Sequence, residues 1–93
     1  MRPRKSSFGV IPYKVLQEQL NAAKVYGMFV KILPDVLIYT YVVMFRDNKK
    51  RPEELYITVS RRSRLVIKIE SDRREFLSLQ DFIDKVIIKK DRA

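Results

Sequence analysis

Between positions 13 and 26 the apolar side chains recur at helical spacing: Tyr13, Leu16, Leu20 and Ala23 make one stripe, with Lys14, Gln17, Glu18, Asn21 and Lys24 off it. Pro12 suits a first helical position and Gly27 a left-handed residue just past a helix end, so the pattern predicts a helix over 13–26 that packs by one side. At Met28 the period changes to two. β-Branched and aromatic residues dominate through Phe45 with a break at Pro34 and Asp35, which predicts a short strand over 28–33, a tight turn, and a long strand over 36–46. In the long strand Leu37, Tyr39, Tyr41, Val43 and Phe45 share one face, and Val36, Ile38, Thr40, Val42 and Met44 the other. Both faces are apolar, so a central strand covered on both sides is expected.

The polar stretch RDNKKRPEE over 46–54 reads as a loop, because Pro52 keeps it out of a ladder. It leads into LYITVSRRSRLVIKIES, two alternating runs that predict a hairpin. The alternation places Leu55, Ile57, Val59, Leu65, Ile67 and Ile69 on a core face, with Tyr56, Thr58, Ser60, Val66, Lys68 and Glu70 opposite and Arg61, Arg62 and Arg64 at the turn. For a final helix, Asp72 with Glu75 and Ser78 with Asp81 are alternative capping pairs. The stripe Phe76, Leu79, Ile83, Val86 and Ile87 favours the earlier start, while REFLSL reads alternatively as a fifth short strand. The fold class expected is α+β: an antiparallel sheet of three to five strands flanked by an N-terminal and a C-terminal helix, with residues 1–11 a basic tail and 12–93 one domain.

Charge changes this picture. A net +9, from 20 Lys and Arg against 11 Asp and Glu, destabilises a compact chain by self-repulsion unless counter-charge is at hand. A nucleic-acid backbone supplies it and releases counterions in return. A membrane surface is the competing polyanion, but the longest apolar-rich run, Val36 to Phe45, is about half of what a bilayer-spanning helix needs. A soluble protein is expected, cytoplasmic or, given the acid-free start MRPRKSSFG, in an organellar matrix. The chain has no Cys and no His, which excludes disulfides, thiolate metal sites and imidazole catalysis, and its two glycines exclude phosphate-cradling Gly-rich loops. Neither a cofactor nor a metal is expected.

The cations gather at tails, loops and element ends: Arg2, Arg4 and Lys5; Arg46, Lys49, Lys50 and Arg51; Arg61, Arg62 and Arg64; Arg73 and Arg74; Lys89, Lys90 and Arg92. Loops made for solubility alone mix signs more evenly. Phosphate contacts are therefore expected from Arg2, Arg4, Lys5, Lys49, Lys50, Arg51, Arg61, Arg62, Arg64, Lys68, Lys89 and Lys90, with Arg2, Arg4 and Lys5 in a tail too polar to order without a partner. Tyr39, Tyr41 and Phe45 on one strand face, with Tyr56 on a neighbour, offer a platform for unstacked bases, or core if a helix lies over them. Glu53, Glu54, Glu70, Asp72 and Glu75 read as loop solvation and helix caps, and no catalysis is expected from them.

The stretch VSRRSRLVIKIESDRREF resembles the large-subunit ribosomal protein numbered thirty-eight of eukaryotes and archaea, and RLVIKIESD is equally similar to the Alu-domain subunits of the signal recognition particle. Both families have a helix, three-strand, helix layout, and the resemblance implies a structured RNA partner. REFLSLQDFIDKV resembles the strand-to-helix passage of positive cofactor four, which implies single-stranded DNA. The first expectation is a non-catalytic RNA-binding component of a ribonucleoprotein such as the large ribosomal subunit, with neighbouring proteins as further partners. The alternatives are a single-stranded or duplex DNA-binding protein that stacks bases on its sheet, and a protein-interaction module. Oligomeric state is left open.

Overall fold

In the computed structural model, which describes residues 8–47 and 49–89, Pro12 opens α1 (Tyr13–Ala22) and its carbonyl accepts from the amides of Val15 and Leu16. The helix ends four residues earlier than its apolar stripe predicts. Lys24, at φ 63°, takes the left-handed position expected of Gly27, and the amide of Val25 returns to the carbonyl of Leu20 at 2.8 Å. Gly27 instead lies in the following strand opposite Tyr41, where an added Cβ would sit 3.2 Å from the tyrosine ring.

Five strands follow: β1 (Tyr26–Ile32), β2 (Val36–Val43), β3 (Glu53–Ser60), β4 (Val66–Ser71) and β5 (Glu75–Phe76). They pair in chain order as an antiparallel meander. Two short helices cover one face. From α1 come Leu16 and Leu20, and from the C-terminal helix Phe82 and Val86, all packed on Tyr41, Val43, Leu55, Ile57, Val59, Val66, Ile69 and Phe76. The result is a slab 39 × 38 × 22 Å. The double coverage expected of β2 is not found: Val36, Ile38 and Val42 on its second face are half-buried and Met44 is exposed, because no helix lies there.

One residue in β4 reverses an expected facing. Thr58 pairs with Lys68 but Val59 with Val66, so Ile67 is an extra residue in a bulge. Val66 turns into the core and Ile67 is left 45% exposed. The C-terminal helix uses the later of its two capping pairs. Ser78 Oγ accepts from the amide of Asp81 at 3.1 Å, the Asp81 carboxylate accepts from the amide of Leu77 at 3.0 Å, and α2 (Leu79–Phe82) widens into a π-helical turn over Ile83–Ile87. Ahead of it, REFLSL supplies β5, the fifth strand.

The outer edge of β4 is occupied along its length. β5 pairs with Ile69 and Glu70, and residues 9–11 take up the amide and carbonyl of Val66, at 2.8 and 2.6 Å. Part of the expected tail therefore belongs to the domain, with Phe8 and Ile11 packed against the core. Arg2, Arg4, Lys5, Lys90 and Arg92 lie outside the described residues.

Alanine at Ile69 should cost about 2–5 kcal/mol in urea unfolding, whereas alanine at Ile67 should stay within about 0.5 kcal/mol. Equal losses would mean that β4 alternates without its bulge.

Candidate nucleic-acid interface

Paired residues of an antiparallel ladder share a face, so the register fixes what the uncovered side of the sheet presents. One row runs Phe29, Thr40, Tyr56, Glu70; the next runs Lys31, Ile38, Thr58, Lys68; a third holds Tyr26, Val42 and Glu54. Phe29 and Tyr56 stand two strands apart, about 10 Å, with Thr40 buried between them. The Tyr56 hydroxyl donates to the Glu54 carboxylate, and that bond pushes the phenol pKa up, keeping it a neutral donor.

At one end of the strands the β1–β2 turn and the β3–β4 turn lie side by side. Arg61 fastens them: its amide donates to the Asp35 carbonyl and its Nη1 to the Leu33 carbonyl, each at 3.0 Å. Ser60 and Ser63 hold the second turn through their hydroxyls, and Arg64 closes it at φ 61°. Arg62 and Arg64 are exposed and make no ion pair among the described residues. Lys68 stands nearby on the open face, 3.4 Å from Glu70.

The opposite end carries Lys49, Lys50 and Arg51 in the β2–β3 loop, all exposed, with the Lys50 ammonium 5.6 Å from the centre of the Phe45 ring. An eight-residue strand puts about 25 Å between these two basic ends. Asp72, Glu54, Glu70 and Glu75 gather on the β3–β5 side of this second end, so phosphates are disfavoured at that corner. Lys89 is exposed beyond the C-terminal helix.

One of the five cation groups, Arg73 and Arg74, belongs to the fold. Glu53 is 0% exposed, and Arg74 grips it through Nε at 3.2 Å and Nη2 at 3.0 Å, while Arg73 adds a contact at 3.7 Å. Arg73 also donates to the carbonyls of Arg51 and Pro52, and Arg74 lies over the Phe76 ring at 5.3 Å. A carboxylate taken out of water needs such partners, so these guanidiniums are occupied.

Of the two readings of the aromatic row, base platform or core beneath a helix, Tyr39 and Tyr41 take the second. Tyr41 is 4% exposed beneath α1, its hydroxyl bonded to that of Tyr13, and Tyr39 stacks on the Tyr13 ring with centroids 4.1 Å apart. Burial pushes the Tyr13 and Tyr41 hydroxyl pKa values up, as expected of core phenols. Of the three tyrosines, Tyr56 alone faces the open side, and the exposed partners that sequence reasoning missed are Phe29, Tyr26 and Lys31. The available signal was parity: Ile38 and Thr40 belong to the face opposite Tyr39, and β1 follows their register.

Among the described residues no group of His, Cys, Asp or Glu is placed to hold a metal ion, and no helix is long and apolar enough to cross a membrane. No family model matches the chain, nor does any curated protein or solved structure.

Truncation of Arg74 to alanine should cost about 3–5 kcal/mol in urea unfolding, because it leaves Glu53 poorly paired in the core. A loss near zero would show that Glu53 reaches water.

Proposed function

We propose that the chain is a non-catalytic nucleic-acid-binding protein that lays a single-stranded segment of a structured RNA over the open face of β1, β2 and β3. The observation that carries this reading is an uncovered sheet face with exposed Phe29 and Tyr26 beside Tyr56, bordered at one end by the unpaired guanidiniums of Arg62 and Arg64. Bases stack on the rings, a contact that tolerates any sequence because every base has a π-face. Phosphates meet Lys31, Arg62, Arg64 and Lys68, while the acidic corner confines the strand to the β1 side.

The preference for RNA rests on two supports. The 55–83 region resembles two families of RNA-bound proteins, and the hydroxyls of Thr58 and Ser60 on the same face offer partners for a ribose 2′-OH. Five strands stand where those families have three, so no contact residue is transferred from them. A ribonucleoprotein is the setting in which a rigid, cationic display of this kind finds its counter-charge.

The test separates charge from stacking. Arg62→Ala combined with Arg64→Asn, the asparagine chosen to keep the left-handed turn, should flatten the plot of log affinity against log salt by about 1.4 units for a single strand. Phe29→Ala or Tyr56→Ala should instead weaken binding by about 1–3 kcal/mol and leave the slope alone. Affinities unmoved by all of these variants would remove the face and the hairpin tip from any nucleic-acid site. Stronger competition by oligo-dT than by a single-stranded RNA at fixed salt would assign the site to DNA.

A further inference from the structure

We propose that β1 is a dimerisation edge, where two copies pair their Tyr26–Ile32 strands antiparallel about a twofold axis and join their sheets into one of twice the width. This goes beyond nucleic-acid binding and does not rest on it.

Every residue of β1 is exposed, and its large apolar side chains, Tyr26, Met28, Phe29, Val30 and Ile32, are 41 to 64% open. They project from both faces, since Phe29 pairs with Thr40 on the open side and Val30 with Tyr39 on the helical side. Beyond them the backbone edge is free of any strand among the described residues, because β1 is terminal in the sheet. Edge strands are ordinarily blunted by charge, proline, a bulge or a covering segment. This strand has one charge, Lys31, no proline, and a bulge confined to Gly27–Phe29.

The occupant follows from the contrast between the two edges. The far edge is closed by β5 and by residues 9–11, whereas the near edge is open. A strand that adds to β1 and is itself a β1 uses up both free edges and ends the assembly, which makes a closed isologous pair. The area agrees. Two rings open to this degree offer roughly 100–150 Å² each. With Met28, Val30 and Ile32, the open apolar surface along the edge is on the order of 500 Å² per copy, so a pair has up to about 1,000 Å² to draw on, the scale of the smallest specific interfaces.

Register is selected by the bulge and the charge. The β1–β2 ladder is irregular between Gly27 and Phe29 and regular over residues 29–32. An axis at Lys31 would set two ammoniums face to face, and one at Phe29 would run the bulge through the centre. An axis at Val30 avoids both, and it places Phe29 of each copy across from Lys31 of the other on the open face, within cation–π reach.

Sedimentation equilibrium of the full chain across the micromolar range should give about twice the 11.1 kDa chain mass. Val30→Lys should return it to the single-chain mass with an unchanged circular dichroism spectrum, since Val30 is not in the core. As an independent reading, the chain has no cysteine, and opposed Cα atoms about 4.5–5.5 Å apart suit a disulfide. Val30→Cys should therefore cross-link the dimer on oxidation with diamide, and Ser63→Cys at the far turn should not. A single-chain mass at every concentration would overturn the proposal. So would a dimer that Val30→Lys leaves intact, or a cross-link through Ser63→Cys but not Val30→Cys.

Discussion

Coverage is the governing constraint: two short helices shield one face of a five-stranded sheet, and among the described residues no helix lies on the other. Five strands span about 20–24 Å, which two helices of about 10–12 Å each can only just match. With no width to spare, the helical layer stops short of β1, whose residues are all exposed. The shortfall falls on β1, which projects past α1 and leaves a groove floored by Gly27, Val30, Tyr39 and Tyr41. The bare edge results from this shortfall, and the open face from a helical layer that lies, among the described residues, on one side only.

Within that frame the ionic groups divide by depth. Glu53, at the start of β3, is sealed in the core and draws Arg73 and Arg74 inward, so the β2–β3 loop, the β4–β5 turn and the C-terminal helix meet at one carboxylate. Arg61 does the neutral version of the same task at the other end, with carbonyls as its acceptors. Arg62 and Arg64 have no such employment. Identical side chains one or three positions apart thus hold the fold together or remain available to a ligand, according to whether the backbone turns them toward an acceptor.

Much of the architecture was legible in the sequence, because it depends on local periodicity. The α1 stripe, the strand periods, the Pro52 loop and the basic hairpin tip all stand where the alternation places them. The misreadings come from single backbone events that periodicity cannot register. The bulge at Ile67 exchanges the facing of Val66 and its neighbour, Lys24 takes the left-handed turn that glycine was expected to make, and the grip on Glu53 joins residues 21 positions apart. The apolar second face of β2 misled for another reason. Val36, Ile38 and Val42 read as core in any sequence, and only the lack of a second helical layer among the described residues decides that they are not.

The seating of residues 9–11 against Val66 bears on how the chain folds. Each sheet pairing in the meander joins strands adjacent in the chain, so the hairpins can zip one after another with short loops to close. The N-terminal segment is different, since it must return across the whole meander to reach β4, with a correspondingly larger entropic barrier. α1 follows directly from that segment. The strands and the C-terminal helix that continues from β5 should form first, with the part of the hydrophobic underside that α1 covers in water until the amino-terminal end of the chain arrives to close it.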